Sequence, residues 1–499
     1  MRRNGRVLAQ AIAVLALATA HAGAAPAVEG VQESWDAVYI RGTRVGFFHT
    51  QVAPVKDRGR DLVRVQIDMT LSFKRANDPV TIETLYGTIE TPDGAVLRLD
   101  SRTLASKKEM RTYGDVVDGQ MKLILEGAGQ RQETVIPWGP DVRGPYGAEM
   151  SMTRKPMQPG ESREVQVFIP DQNRVGVAKL QAKGPEPVTL GGGVRRDLLR
   201  VEQQNYVDGK PVPGMALTSW VDSSGQVLRT MNEVFGGMET YRTTREAALK
   251  SFSGPRFDLN AATLVKVRRR INNPTSSREI AYDVALKGDE PAKAFPADAR
   301  QSVVPSADAS RGRLVVKTAG PDAGEPGPPT VDAPYLAGNA FINTGDERVA
   351  GLAERATLGL TDPWKKAAAI QHWVFQNVKT KNFETTFAAA SEVARDLEGD
   401  CTEHSVLTAA MCRAAGIPCR VVVGLLYVEP SQGFGFHMWD EVYVNRRWVA
   451  IDSAFDQSEV DAAHVKLVDS SLEGVSPYET FLAVVRVLGK LTIEPVEVR

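Results

Sequence analysis

Alternating apolar and polar positions dominate the first half of the chain. The segments VRVQI at 63–67 and EVQVF at 164–168 place an apolar residue at every second position. This period of two is typical of β-strands that bury one face, and β-branched residues are frequent in both segments. We therefore predict a β-rich antiparallel domain over residues 25–250.

A short internal similarity lies within this predicted domain. The hexamers DGAVLR at 93–98 and SGQVLR at 224–229 both carry a turn signal followed by apolar positions. Each hexamer also follows an extended segment. The interpretation that we take from this repeat is that the domain has two similar halves.

Two segments separate this region from the C-terminal part of the chain. Residues 258–318 return to strand-like alternation and predict a small β domain. Residues 319–334 then contain five prolines and three glycines, a composition that is typical of a linker.

The period of the apolar positions changes after the linker. Val349, Leu352, Ala353 and Ala356 recur at helical spacing, and strand-like segments follow later. We predict a mixed domain over residues 335–499. The fold class is therefore α+β and multidomain, with an antiparallel β-rich region before an α+β domain.

The N-terminus has the features of an export signal. Three arginines precede an apolar core at 11–18, and small residues in the A-x-A pattern follow it. The core is far shorter than the roughly 20 residues that a membrane span needs. We predict a signal peptide at 1–24, no transmembrane segment, and a periplasmic or secreted protein.

The net charge of the chain limits the classes of partner that we expect it to bind. The formal net charge is −1, and loss of the three N-terminal arginines would change it only to −4. Such a near-neutral chain lacks the basic excess expected of a nucleic-acid-binding protein, so we predict no nucleic-acid partner.

A cysteine stands where a helix is predicted to begin. Cys401 follows Gly-Asp and precedes apolar positions at helical spacing, and Gly416 and Pro418 end the run. At a helix N-terminus the dipole and the free backbone N–H groups favour the thiolate and could bind an oxyanion. This pattern predicts that Cys401 is a nucleophile.

A nucleophilic thiol needs a base, and His437 is the best placed histidine. It lies at the start of a predicted hairpin that ends near Asp452. If Val444 pairs with Arg447, then Asp452 lies diagonally opposite His437 on one face, so it could orient the imidazole. His404 lies on the cysteine's own helix, and we interpret it as a residue that packs there or supports the site from behind.

Four blocks of this region resemble the bacterial transglutaminase-like domain. They are GDCTEH at 399–404, RAAGIPCR at 413–420, HMWDEV at 437–442 and WVAID at 448–452. The resemblance covers about residues 335–467. It implies a papain-like core, a Cys401, His437 and Asp452 triad, and thiol acyl transfer on amides without a cofactor.

These observations predict an exported cysteine enzyme that acts on peptide or isopeptide amides, with a protein or cell-wall peptide as substrate. Hydrolysis, as by a protease or amidase, is slightly favoured over acyl transfer to an amine. The alternatives are a protein cross-linking transglutaminase and a non-catalytic binding or scaffold protein of the cell envelope.

The remaining cysteines leave two alternatives open. Cys412 and Cys419 could form a disulfide or remain as two buried thiols. Together with Cys401 and His404 they could also offer four metal ligands, but the spacing lacks two compact pairs on turns. We therefore predict no metal.

Overall fold

The computed structural model describes residues 30–499, apart from residues 76–77, 106–107, 128–129, 213, 234–235, 251–255, 324, 380–387 and 474–478. The predicted signal peptide at 1–24 lies outside the described residues. The class is multidomain α+β, as predicted, with a β-rich N-terminal region and a mixed C-terminal domain.

The N-terminal region forms one large antiparallel sheet. Its strands are β1 Gln32–Ile40, β2 Thr43–Asp57, β3 Arg60–Arg75, β4 Asp78–Glu90, β5 Val96–Ala105, β6 Lys108–Val117, β7 Gln120–Gly127, β8 Gln130–Pro137, β9 Ser162–Ile169, β10 Arg174–Thr189, β11 Arg195–Val207, β12 Lys210–Pro211, β13 Leu217–Val221, β14 Val227–Asn232 and β15 Met238–Thr243.

The strand order divides this sheet into two meanders. Strands β1 to β8 follow one another in one direction, and β15 back to β9 continue from the other side of β1, with β12 paired to β11. The join is the antiparallel pair β1–β15, from Trp35 opposite Thr243 to Ile40 opposite Met238. The two ends of the sheet, β8 and β9, lie close together. The ring of Trp138, just after β8, is 5.6 Å from the ring of Phe168 in β9.

The two similar hexamers occupy comparable turns, one in each meander. The N–H of Gly94 bonds the carbonyl of Thr91, and the N–H of Gly225 bonds the carbonyl of Asp222. Both glycines have positive φ, +91° and +82°, which a glycine adopts without steric cost. Both turns contact helix α1, Gly147–Arg154, through Arg154 or the residue before it.

The remaining elements lie in the C-terminal half of the chain, although the first of them, Arg245–Leu249, packs against β1 and β2 of the large sheet. They are α2 Arg245–Leu249, α3 Leu259–Thr263, β16 Val265–Lys266, β17 Glu279–Leu286, α4 Pro291–Ala294, β18 Gln301–Pro305, β19 Arg311–Lys317, α5 Glu347–Ala356, α6 Pro363–Asn377, α7 Ala390–Asp396, α8 Cys401–Ala414, β20 Cys419–Val428, β21 Gly433–Val444, β22 Arg447–Ile451, β23 His464–Ser470, α9 Glu479–Val487 and β24 Leu491–Val498.

Two sheets organise this half. One has the order β16-β21-β20-β23, with β22 on β21, and the other has the order β18-β19-β17-β24. A single hydrophobic cluster extends from the second sheet through helices α5 to α8 to the first sheet. The first sheet and α8 position the candidate site described below.

The structure differs from the predicted separate β domain at 258–318. Its strand β17 pairs with β24 at the far end of the chain, from Ile280 opposite Val498 to Leu286 opposite Leu491. Tyr282 is fully buried in the cluster shared with α5 to α8. The segment therefore belongs to the C-terminal domain, because its sheet and its core are completed by residues distant in sequence.

The Pro/Gly segment at 319–334 has no strand or α-helix in its described residues. It nevertheless contacts the β21–β22 hairpin: the N–H of Gly327 bonds the carbonyl of Arg446 at 2.7 Å, and the Tyr443 hydroxyl bonds the carbonyl of Pro328. The segment therefore runs along the surface of the C-terminal domain.

Across the described part of the chain, no helix combines the length and the apolar character needed to span a membrane.

Candidate active site

Helix α8 begins with a complete capping box. Asp400 is the N-cap, and its Oδ1 accepts bonds from the backbone N–H and the hydroxyl of Thr402, each at 2.8 Å. The Glu403 carboxyl accepts the backbone N–H of Asp400 at 3.0 Å. A Cβ on Gly399, where φ is +150°, would lie 2.2 Å from the Glu403 side chain. These contacts place the partly exposed Cys401 at the first helical position.

The rest of α8 is more enclosed than the sequence predicts. The apolar spacing predicts one buried face, but all residues from 402 to 413 are buried. Helices α5, α6 and α7 pack against α8, and so do strands β20 and β21. The cysteine therefore projects from the end of a helix that its neighbours hold on all sides.

Burial also sets the charge of the capping box. The pKa of Glu403 rises to about 8, because burial disfavours its charged form and Asp400 lies beside it. Its Oε1 accepts the backbone N–H of Ala388 at 3.0 Å. A protonated Glu403 therefore ties the start of α8 to the segment before α7.

The β21–β22 hairpin has the predicted register. Val444 lies opposite Arg447, and a two-residue turn with positive φ at Asn445 and Arg446 joins the strands. This register places Asp452 beside His437: the Nε2 of His437 donates to the Asp452 carboxylate across 2.7 Å.

The structure brings the three predicted site residues together. Cys401 lies near enough to His437 to affect its imidazole, and the Asp452 carboxylate binds the Nε2 of that imidazole. Burial lowers the pKa of His437, but Asp452 and then Cys401 outweigh that effect and raise it to about 9. Burial would raise the pKa of Asp452, yet His437 and His464 hold it below its usual value.

His464 is a member of this network that the sequence analysis missed. Its Nε2 lies 3.1 Å from the Asp452 carboxylate oxygen that also binds His437, and its Nδ1 lies 2.8 Å from Asp461. No motif in the sequence assigns His464 to the site. It is the first residue of β23, and the strand-like segment HVKLV at 464–468 was the available signal.

The other histidines of the C-terminal domain occupy different positions. The Nδ1 of His404 bonds the carbonyl of Asp400 at 2.7 Å, so His404 packs within the start of α8 as predicted. His372 is half exposed and bonds Asp456 at 2.8 Å. Cys412 and Cys419 are buried free thiols, so the structure holds them reduced.

One group of side chains has the geometry to hold a metal among the described residues. The ligating atoms of His437, Asp452 and His464 lie within 4.8 Å of one another. Those same atoms are already joined by the hydrogen bonds described above. The group is therefore satisfied as a hydrogen-bond chain.

An exposed aromatic side chain contacts the buried imidazole of His437. The ring of Phe455 meets that of His437 edge-on at 5.3 Å, and 49% of Phe455 is exposed. The next residue, Asp456, accepts bonds from Gln371 and His372. An exposed aromatic side chain and a neighbouring carboxylate therefore lie next to the buried imidazole.

Residues 350–453 match the model of the transglutaminase-like superfamily. The matched range includes Cys401, His437 and Asp452. Kyphoscoliosis peptidase from Homo sapiens is 28% identical over 137 residues, which is 23% of this chain and 19% of that protein. The chain thus spans about a fifth of the length of this curated relative.

Two solved structures are also similar. One, called "a Putative Cysteine Protease from Cytophaga hutchinsonii", is 16% identical with a TM-score of 0.30, and the match covers 44% of this chain and 87% of that one. The other, a β-barrel-like protein of unknown function from Brucella abortus, is 12% identical with a TM-score of 0.30, and covers 43% and 95%.

Residues 350–453 are therefore a transglutaminase-like domain within the C-terminal part of the chain. It lies C-terminal to a β-rich region, as the sequence analysis expected.

Proposed function

We propose that this protein is an exported cysteine enzyme that performs thiol acyl transfer on peptide or isopeptide amides, with hydrolysis favoured over transfer to an amine. The proximity of Cys401 to His437, together with the hydrogen bond from His437 to Asp452, carries the proposal. A thiol beside a histidine that is oriented by a carboxylate is the arrangement that nucleophilic catalysis requires.

The reaction follows from this geometry. His437 first takes the proton of the Cys401 thiol, and its raised pKa of about 9 keeps it as the imidazolium. The Cys401 thiolate then attacks the amide carbonyl carbon. The oxyanion forms near the backbone N–H of Cys401, which α8 leaves without an intrahelical partner. His437 then gives its proton to the departing amine, and an acyl thioester remains on Cys401.

Water completes the proposed hydrolysis. His437 takes a proton from water, the hydroxide attacks the thioester, and the free acid and the thiol are released. Cys401 is partly exposed, which supports access by water. The relative named as a peptidase favours the same outcome. An amine that enters instead of water would give a cross-link, which is the second candidate.

The apolar surface of Phe455 supports a peptide substrate with an apolar side chain near the scissile amide. The large N-terminal sheet would then recruit a protein or a cell-wall peptide. If the triad were silent, that same sheet would be the main feature of a non-catalytic envelope protein.

Activity can be tested with the purified protein and its Cys401→Ala variant. Each is incubated with casein and a fluorescent primary amine, and new peptide ends and incorporated label are measured together. We expect new ends that depend on Cys401 and exceed the incorporated label. Label without new ends would favour cross-linking, and identical products from both proteins would refute catalysis by Cys401.

Export can be tested separately. We expect the protein from its native host to lie outside the cytoplasm and to begin near residue 25 when its N-terminus is sequenced. An intact N-terminus on a cytoplasmic protein would exclude export.

A further inference from the structure

A second histidine lies behind the proposed triad, and it is completely enclosed. His464 is 0% exposed, and the two carboxylates that flank it, Asp452 and Asp461, are 1% and 3% exposed. The proposed reaction assigns no role to this histidine.

The contacts determine which form of His464 the site holds. Each ring nitrogen faces a carboxylate oxygen, Nε2 towards Asp452 and Nδ1 towards Asp461. An ionised carboxylate only accepts hydrogen bonds, and an imidazole donates from both nitrogens only as the imidazolium. His464 is therefore a buried cation between two anions.

This cation restricts the Asp452 carboxylate. Its Oδ1 accepts the backbone N–H of Ala454 at 2.7 Å, and its Oδ2 is shared by His437 and His464. With donors on both oxygens, rotation of the carboxylate would break at least one charge-assisted bond.

Asp461 is held in turn from its own segment. It accepts bonds from the Gln457 amide and the Ala463 backbone N–H, each at 2.8 Å. The Arg300 guanidinium bonds the Asp461 carbonyl at 2.8 Å. The charged network behind Asp452 is therefore built from β23, the preceding loop and the residue before β18.

We propose that His464 is a positioning residue for acyl transfer, which fixes Asp452 towards His437 and supplies a positive charge behind it. The kinetic effects that this inference predicts rest on the proposed function. The alkylation rate of Cys401 tests the inference independently, because it needs no substrate.

The charge and the hydrogen bond have separable effects. The groups that face His464 are His437 and Asp452 on one side and Asp461 on the other, with Arg300 next to Asp461. The His464 and His437 rings are 5.7 Å apart. Since like charges repel each other, loss of the His464 charge should raise the pKa of His437 and favour its imidazolium form.

Two substitutions separate the effect of the His464 charge from the effect of its hydrogen bond. His464→Gln keeps a donor near the position of Nε2 but carries no charge, and His464→Phe removes both. We expect His464→Phe to lower kcat by about ten- to a hundredfold with KM little changed, the size of a lost hydrogen bond to a charged group. His464→Gln should restore much of that loss.

The pH profile distinguishes positioning from mere structural support. For His464→Gln we expect the alkaline limb of activity to move to higher pH. The rate of Cys401 alkylation by iodoacetamide, followed by mass spectrometry, rises with pH, and we expect this rise also to move to higher pH, without any substrate, because a nearby positive charge is lost. His49→Gln, which changes a histidine between two carboxylates in the N-terminal sheet, is the matched control and should change neither profile.

Each outcome decides the proposal. If the His464→Gln profiles superimpose on those of the wild type, His464 is only structural and the proposal is wrong, whether or not His464→Phe folds. If the alkylation profile moves but casein is never cleaved or labelled, the positioning role stands and the proposed function fails.

Discussion

Two histidines in this molecule each lie between two carboxylates, one in each half of the chain. In the N-terminal sheet, His49 contacts Asp68 at 3.1 Å and Glu33 at 3.2 Å. In the C-terminal domain, His464 contacts Asp461 at 2.8 Å and Asp452 at 3.1 Å. The two histidines thus have the same kind of partners, but the burial and the neighbours of the two groups differ.

Exposure is the main difference. The Glu33 and Asp68 side chains are 49% and 32% exposed, so water and salt screen their attraction to His49. The corresponding carboxylates around His464 are almost fully buried. The same pattern of charges is thus a weak surface bridge in one region, and a strongly coupled network in the other.

The neighbours of the two histidines also differ. His49 stacks on Trp35, with ring centroids 4.0 Å apart, on the face of a broad sheet. Asp452, in contrast, passes its hydrogen bonds on to His437 and so to Cys401. Only the buried network ends at a nucleophile, which is why we assign chemistry to it alone.

The largest difference in kcat is expected when the aspartate that contacts the histidine in each network is replaced by asparagine. We expect Asp452→Asn to lower kcat by about 10⁴-fold, because the amide favours the wrong tautomer of His437. Asp68→Asn should leave kcat within about twofold, since a surface pair contributes little. Steady-state kinetics on a peptide amide measure both, and equal losses would remove the distinction between the two bridges.

The raised pKa of His437 gives a smaller, pH-dependent effect on stability. Its folded value of about 9 exceeds the ordinary value of 6.5, so its contribution is complete below about pH 6.5 and disappears as the pH rises through 9. We expect the wild type to lose a few kcal/mol more than His437→Gln between pH 7 and 10. Urea denaturation across that range would show parallel curves if the prediction is wrong.

Glu403 should show a pH dependence of the same sign through a different cause. Its folded pKa of about 8 lies above the ordinary value of 4.5, so the folded state binds a proton that the unfolded state loses. Stability should therefore fall as the pH rises from 5 to 8, and Glu403→Gln should flatten that slope.

Thermal melts at several pH values measure the slope of Glu403→Gln. Glu347→Gln is a matched control, because Glu347 is an exposed acidic residue in the first turn of α5. A wild-type slope in the Glu403 variant would mean that Glu403 is ionised in the folded protein.

The smallest effect should come from His49 itself. We expect His49→Gln to change the free energy of unfolding by less than about 1 kcal/mol, because its partners are exposed. The difference should shrink further in 1 M salt. A loss of several kcal/mol would show that the surface bridge is as strongly coupled as the buried one.

Local chemistry explains what could be predicted from the sequence. The two-residue turn at Asn445 and Arg446 determines the pairing of β21 with β22, and hence the approach of Asp452 to His437. The Asp400 and Glu403 pair specifies the start of α8 within three residues of Cys401. Both features depend on residues that are close together in the chain. The spacing of apolar residues and short sequence motifs can therefore predict them.

Non-local contacts explain what could not be predicted. Strand β24 completes the sheet of β17 from about 200 residues away along the chain, and no alternation pattern shows that pairing. His464 reaches Asp452 only because β23 pairs with β20, where Leu426 lies opposite His464. The burial that makes Glu403 neutral likewise depends on helices packed around α8.

The central claim is that His437 activates Cys401, and alkylation of that thiol tests it without a known substrate. The wild type, His437→Gln and His49→Gln are each treated with iodoacetamide at pH 7, and modified Cys401 is quantified by mass spectrometry. Cys412 and Cys419 are buried and serve as internal references. We predict that His437→Gln slows the reaction at least about tenfold and that His49→Gln does not. Equal rates in all three proteins would contradict the account.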